Sequence, residues 1–458
     1  MSALMGTASE LPVDLRWRRA INAVLVTWTV GLVLAEVVLQ VATGAAVLLA
    51  AILLVRGRLR LTPDVRAYAG ASGALCLWQA VSPAVALLTG AAQTWPRGAR
   101  YGQVLDSVAG AAAACIGAVG VPWLLLAGVL AGGWLLAALL GVFQNRVRWS
   151  MELPAFLKLN LGRLHENFGT EESPRYAAGG FFSHRLRFAH GAIAALGPAL
   201  SVLGSADQAR RRVLAGAVVM GMLISIYNAF ARAALGAALL VSVVALLLLV
   251  QGSARKLGLA LMFALVAVVS MSPAWRTRLE KALGNIYGGE REHAMAVGWS
   301  LVREYPLTGV GFGNHKPAAL ATQDETGITD LLATDSHNLW LTVWAETGLV
   351  GLLLMLAMHG FLARALIRRY REGSLAATGA LLSWVGFHIL ALVHYLPFHS
   401  SVYLSFSLVW GLGLCEGSER LRGRGAGQGL LPLEGAPTPY RPDVPREPPG
   451  AGVSSTRR

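Results

Sequence analysis

The 458-residue chain has few charged residues and very few cysteines. Charged side chains make up 14% of the sequence and hydrophobic ones 55%, with a mean hydropathy of +0.54. This composition excludes an ordinary soluble domain. Cys76, Cys115 and Cys415 lie in or beside apolar runs, without the spacing of a disulfide framework or a metal site. They are interpreted as small buried hydrophobic residues.

Signatures of metal and nucleotide binding are also missing. No Asp, Glu and His residues have metal-ligand spacing, so the sequence predicts no metal site. Gly309, Gly311 and Gly313 lack the Gly-Lys-Ser/Thr ending and the preceding strand of a phosphate-binding loop, and they predict a tight turn instead. The net charge of +14 does not indicate a nucleic-acid partner, because many arginines flank apolar runs, where they set topology and meet anionic lipid.

The sequence does contain many apolar runs of about 17 to 25 residues, the length of a transmembrane helix. We therefore predict an all-α polytopic membrane protein with about twelve transmembrane helices. The first run, after Arg16-Trp-Arg-Arg19, has no convincing cleavage site and is interpreted as a retained span. The predicted spans are 20–36, 38–55, 67–89, 104–119, 121–143, 187–204, 213–230, 233–251, 256–272, 339–358, 375–396 and 399–415.

Arginine-rich loops predict the orientation of these spans. Four such loops fall on the same side as residues 1–19, and the positive-inside rule makes that side cytoplasmic. Residues 20–415 then form the transmembrane domain, with two long external loops at 145–186 and 273–338. The first of these loops is basic, which long loops tolerate and which would suit an anionic ligand. Residues 416–458 are rich in Pro, Gly, Arg and Ser and predict a disordered cytoplasmic tail.

A histidine stands where the second long loop meets an apolar helix. Asp335-Ser-His-Asn338 runs directly into the predicted span at 339–358. On an ideal helix, Gly348 and Gly351 would lie within about 40° of His337. These glycines would let a neighbouring helix approach and fix the direction of the imidazole. A lone histidine at a membrane interface is often only a solvated boundary residue, and that alternative remains open.

Two arginines are predicted on the same external side. Arg232 opens a span, and Arg291 opens a short amphipathic helix in the second long loop. Each has a simpler explanation, since Arg232 would snorkel to the interface and Arg291 would pair with Glu290 or Glu292. The short helix is predicted to lie on the bundle by an apolar face formed by Met295, Trp299 and Val302.

Two permanent cations and one titratable imidazole on one membrane face suit a particular chemistry. Guanidinium groups pair with phosphate oxygens and keep their charge at all relevant pH values. An imidazole within reach accepts a proton from an attacking hydroxyl. The residues therefore indicate a transferase that uses a membrane-embedded diphosphate donor.

The stretch Tyr305-Pro-Leu-Thr-Gly-Val-Gly-Phe-Gly-Asn314, followed by His337-Asn338 and Gly348-Leu-Val-Gly351, resembles the signature of the O-antigen ligase and polymerase superfamily. Arg232, Arg291 and the Gly179–His184 stretch are similar to further elements of that signature, and the resemblance covers roughly 175–415. Two departures stand out. Ala231 precedes Arg232 where the family has serine, and His394 and His399 occupy a turn where a carboxylate is expected.

The resemblance implies a multi-spanning glycosyltransferase of the bacterial inner membrane, with cytoplasmic termini and a large periplasmic loop that contains short amphipathic helices. It would transfer O-antigen or a related polysaccharide from undecaprenyl diphosphate to a lipid A–core or other glycolipid acceptor, with no cofactor, nucleotide or metal. It further implies that His337 activates the acceptor hydroxyl and that Arg232 and Arg291 bind the diphosphate. Asn338, Gly348 and Gly351 would support the His337 helix.

Two alternatives remain at this stage. The same groups would serve a polymerase that extends lipid-linked repeat units. A transporter or flippase for an anionic lipid would also use Arg232 and Arg291 as binding cations. The sequence shows no convincing internal repeat of the kind that transporters often have.

Overall fold

A computed structural model describes most of the chain between residues 15 and 415. The described residues are 15–34, 36–59, 61–96, 102–147, 167–169, 171–182, 184–205, 208–273, 275–276, 280, 289–322, 329 and 332–415. The predicted disordered tail at 416–458 lies outside them, as do residues 1–14 of the N-terminal tail and parts of both long loops.

The described residues form helices and no strand, with one isolated bridge between Asn167 and Tyr176. The helices are α1 (Leu15–Leu34), α2 (Glu36–Val55), α3 (Pro63–Leu88), α4 (Asp106–Gly117), α5 (Trp123–Arg146), α6 (Arg185–Ser205), α7 (Ala209–Asn228), α8 (Arg232–Leu249), α9 (Gly252–Met271), α10 (Glu290–Glu304), α11 (His315–Ala321), α12 (Leu339–Arg371), α13 (Leu375–Ala391) and α14 (Ser400–Gly413). The predicted all-α class is confirmed.

Each of the twelve predicted spans coincides with a helix, α1 to α9 and α12 to α14. Among the described helices, seven are long and apolar enough to cross a membrane, namely α2, α3, α5, α6, α8, α9 and α12. The structure therefore supports a helical membrane protein, while the count of twelve spans stays a prediction.

The Ala-rich helix α4 lies inside the bundle. Most of its residues are buried, and its closest packing is against α14. A Cβ atom at Gly411 would collide with the carbonyl oxygen of Gly110, so the two helix backbones are in direct contact. Small residues permit this approach in a membrane bundle.

Several arginine-rich loops meet at one end of the bundle. Arg368, near the end of α12, forms an ion pair of 2.9 Å with Asp64 at the start of α3. Arg56, after α2, lies 5.4 Å from the ring centre of Trp17 in α1. These contacts agree with the predicted grouping of the loops. Which side of the membrane this end faces stays a prediction.

Helix α12 is broken at Gly348, which has a φ of 66° and a ψ of −173°. On an unbroken helix Trp340 and His359 would be separated by roughly 28 Å along the axis, yet their ring centres are 5.8 Å apart. The segment 339–347 therefore folds back against 349–371. The predicted span at 339–358 is therefore interrupted at Gly348, and the predicted common helix face for His337, Gly348 and Gly351 is wrong.

Candidate functional site

The Tyr305–Asn314 segment packs into the break of α12. A Cβ atom at Gly348 would collide with the carbonyl oxygen of Leu307. The Val310 N–H donates to the Ala345 carbonyl, and the Leu349 N–H donates to the Pro306 carbonyl, both at 2.9 Å. Gly348 thus permits a close approach, as predicted, but the approaching segment is this loop and not a neighbouring helix.

The other side of the same segment lies against α3. Its glycines Gly309 and Gly311 have φ values of 67° and 86°, which confirms the predicted tight turn. The Phe312 N–H donates to the Ser82 hydroxyl at 3.1 Å. Gly351 also lies close to α3, because a Cβ atom there would be 3.2 Å from the Trp78 ring.

His337 lies in the turn before α12, outside the helix, with a φ of 50°. Non-glycine residues at positive φ are uncommon and are often found at functional sites. The His337 N–H donates to Asp335 Oδ1 at 2.7 Å, and its ring Nδ1 lies 3.5 Å from the same oxygen. The Asp335 side chain is 9% exposed, whereas that of His337 is 26% exposed. A carboxylate so placed orients the imidazole.

Asn338 connects this turn to two other elements. Its side-chain oxygen accepts a hydrogen bond of 3.1 Å from the Leu341 N–H and so caps α12. Its side-chain amide donates to the Leu392 carbonyl at 3.2 Å. Asn338 therefore joins the start of α12 to the turn that follows α13.

His315 fixes the same turn from the opposite side. This fully buried imidazole contacts the Ala333 carbonyl at 3.1 Å and the Ser336 hydroxyl at 2.9 Å. A Cβ atom at Gly298 in α10 would collide with the Ser336 hydroxyl. The residue before His337 is thus held between α10 and α11. Sequence reasoning missed His315, although it directly follows the motif ending at Asn314.

Arg232 is the first residue of α8 and follows a strained turn. Phe230 in that turn has a φ of 50° and is 1% exposed. Its ring packs 5.7 Å from Trp275 and 6.3 Å from Tyr227, measured between ring centres. Phe230 and His337 are the two non-glycine residues at positive φ in the described part of the chain. Each lies at or beside a predicted site residue.

Arg291 lies in the first turn of α10, which packs on the bundle by a different face from the predicted one. The buried residues are Ala294, Val297, Gly298, Leu301 and Val302. Met295 and Trp299 are 37% and 44% exposed, so their predicted place on the buried face is wrong. Only Val302 of the predicted set is buried.

Electrostatic contacts link the three predicted groups. Partial desolvation and the positive charge of Arg232 lower the pKa of Arg291. Desolvation together with His190, Arg291, His337 and Arg185 lowers the pKa of His394 well below its ordinary value. Arg232 therefore lies within electrostatic range of Arg291, and Arg291 and His337 both lie within electrostatic range of His394. The catalytic and binding roles of these residues stay predictions.

Histidines line the side of the site where the resemblance expects a carboxylate. The rings of His190 and His394 are 4.8 Å apart, and those of His184 and His399 are stacked at 6.3 Å. The Arg187 Nε donates to His399 Nδ1 at 3.4 Å. Within the described ranges, no group of three or more His, Cys, Asp and Glu residues is arranged to hold a metal ion.

The fold and this site define a helical membrane protein with arginine and histidine side chains gathered at one end of its bundle. Residues 217–356 match the family model described as O-antigen ligase, which supports the resemblance to the O-antigen ligase superfamily. Members of that family are glycosyltransferase-like ligases or polymerases. No curated protein matches the chain.

The matched segment contains all six predicted site residues, from Arg232 to Gly351. The Gly179–His184 stretch and the turn at 392–399 lie outside it. The segment that matches the family model is thus shorter than the range of roughly 175–415 over which the sequence resembles the family.

Proposed function

We propose that this protein is an inner-membrane glycosyltransferase that moves O-antigen or a related polysaccharide from undecaprenyl diphosphate to a lipid A–core acceptor at the periplasmic face. The O-antigen ligase match supports a ligase or polymerase type of function. The specific chemistry is supported by the effect of Arg232 on the pKa of Arg291 and by the shared effect of Arg291 and His337 on the pKa of His394.

Arg232 and Arg291 bind the diphosphate of the donor in this proposal. Two guanidinium groups close enough to lower the pKa of one of them repel each other. A bound diphosphate relieves that repulsion and accepts hydrogen bonds from both groups. Their charge also stabilises the negative charge that develops as the diphosphate leaves.

His337 acts as the general base. Its imidazole takes the proton from the acceptor hydroxyl, whose oxygen forms a bond to the anomeric carbon of the donor glycan. The bond between that carbon and the diphosphate oxygen breaks, and undecaprenyl diphosphate leaves with the electron pair. Asp335 stabilises the protonated imidazole until the proton passes to water.

Asn338, Gly348 and Gly351 support this geometry without touching substrate. Asn338 caps α12 and holds the 392–399 turn. Gly348 and Gly351 allow the Tyr305–Asn314 segment and α3 to pack against α12. These contacts fix the turn that contains His337. General-base catalysis requires the base to be held in position in this way.

A transfer assay with purified protein tests the proposal. Undecaprenyl-diphosphate-linked glycan and lipid A–core are mixed with the protein in detergent, without added nucleotide or metal. We expect the wild type to transfer glycan, and His337→Ala to bind undecaprenyl diphosphate while transferring none. Absence of transfer by the wild type would contradict the proposal and favour the transporter alternative.

Polymerisation is the second candidate, because the family match covers both reaction types. A polymerase would use the same base and the same cations with a lipid-linked repeat unit as acceptor. Deleting the gene separates the two functions. Lipid A–core without attached polysaccharide supports the ligase, whereas a single attached repeat supports the polymerase.

A further inference from the structure

Helix α6 begins with Arg185, which lies outside the segment that matches the O-antigen ligase family. One guanidinium nitrogen of Arg185 donates to the carbonyl oxygens of Ala229 at 3.4 Å and Phe230 at 3.3 Å. These two carbonyls belong to the turn that ends α7 and leads directly into Arg232. The contact therefore joins two elements far apart in sequence immediately before a proposed binding residue.

The turn needs such a partner for its conformation. The last carbonyls of a helix have no partner within the helix, and an arginine side chain is well suited to satisfy them. Phe230 has a φ of 50°, a conformation that persists only where the surroundings hold it. Ala231, the N-cap of α8, has no side-chain group that could cap the helix itself.

Arg185 also holds the side chain of Phe230 through a second aromatic ring. Its guanidinium lies 5.4 Å from the ring centre of Phe168. The Phe168 ring in turn packs 5.0 Å from the ring of Phe230. Phe230 is thus held by its carbonyl, which contacts the Arg185 guanidinium directly, and by its ring, which contacts that guanidinium through Phe168.

We propose that Arg185 is a positioning residue that fixes the 229–231 turn and thereby directs Arg232 toward the diphosphate. This role rests on the proposed function, since it assigns Arg185 to the binding of the same donor. Arg185 acts through Arg232 and does not itself touch the substrate.

The alternative is that Arg185 binds the diphosphate directly, and a double-mutant comparison separates the two. Binding of undecaprenyl diphosphate is measured for Arg185→Met, Arg232→Met and the double variant. If Arg185 acts through Arg232, Arg185→Met weakens binding about tenfold in the wild-type background and has no further effect in Arg232→Met. Effects that add in the double variant would show a direct contact and overturn the proposal.

Hydrogen exchange tests the contact without any substrate. Arg185→Met is expected to increase amide exchange in the peptide covering 229–235. Arg187→Met is the matched control, because Arg187 lies on the same helical turn but contacts His399. It should leave exchange in that peptide unchanged.

If Arg185→Met does not fold, Arg185→Lys replaces it. Lysine lacks the planar guanidinium that lies over the Phe168 ring while one of its nitrogens donates to the two carbonyls, so exchange should still increase. Exchange and binding equal to the wild type in a folded Arg185 variant overturn the role of Arg185 alone. A wild type that does not bind undecaprenyl diphosphate overturns the proposed function, and the positioning role with it.

Discussion

The Asp335 carboxylate holds His337 at two points, accepting the His337 N–H at 2.7 Å and lying 3.5 Å from ring Nδ1. The carboxylate is nearly buried, and the imidazole it holds is more open. In the proposed reaction, this carboxylate would orient His337 as the general base.

Asp335→Asn should therefore reduce turnover more than donor binding. The amide still accepts the backbone N–H but cannot stabilise a protonated imidazole, and we expect kcat to fall about a hundredfold. Steady-state kinetics with varied donor measure both quantities. Asp64→Asn, at the opposite end of the bundle, is the matched control and should leave kcat unchanged. An equal loss in both variants would remove the catalytic role of Asp335.

Arg291→Lys should be more harmful than its conserved charge suggests. Lysine keeps the positive charge but loses the fork that pairs with two phosphate oxygens. Losing one hydrogen bond to a charged group amounts to roughly 1.5 kcal/mol, or about a tenfold rise in the donor KM. Arg303→Lys, in the last turn of the same helix, should have no effect. Wild-type KM in the Arg291 variant would show that this residue does not bind the diphosphate.

Gly348→Ala should disrupt the break in α12. Alanine at positive φ is strained, and its Cβ atom would collide with the Leu307 carbonyl, so we expect a destabilisation of about 2 kcal/mol or more and loss of transfer. Gly360→Ala is the matched control, because a Cβ atom there meets no other atom within 4 Å. That control should be neutral or stabilising by up to about 1 kcal/mol. Thermal unfolding in detergent compares the two variants.

Acidification should destabilise the protein partly through His394. Its pKa is lowered in the folded state, so its contribution to stability is present above its ordinary pKa of 6.5 and is lost as the pH falls toward the folded value. The groups that surround it are His190, Arg291, His337 and Arg185. His394→Gln should therefore lose less thermal stability than the wild type between pH 7.5 and pH 5.5 (about two pH units). A change as large as in the wild type would contradict this contribution.

Helix positions were largely predictable because a membrane helix corresponds to a continuous apolar run of characteristic length. The break at Gly348 was not, since glycine is also common in unbroken membrane helices. Only the contact of Gly348 with Leu307, from a distant loop, distinguishes a broken helix from an unbroken one. The buried face of α10 was predicted wrongly because it too depends on contact with a distant segment. Gly298 packs against Ser336, and the spacing of apolar residues along a helix does not show which face packs against another segment.

The parts of the candidate site that consist of single residues within a recognisable motif could be predicted from the sequence. The parts that depend on contacts between distant segments could not. Arg232, Arg291 and His337 stand out as charged or titratable groups at the ends of apolar segments. Asp335 stood two residues from His337, but its role depends on the strained turn at φ 50°. The contact of Arg185 with Phe230 depends on how α6 packs beside the end of α7, which no local pattern encodes.

The most direct test is a structure of the protein determined with undecaprenyl diphosphate bound. We predict diphosphate density within about 3 Å of the Arg232 and Arg291 guanidinium groups, with the His337 ring facing the side where the glycan is attached. Density held by other residues would contradict the proposed site. So would an Arg232 and an Arg291 too far apart to contact one diphosphate.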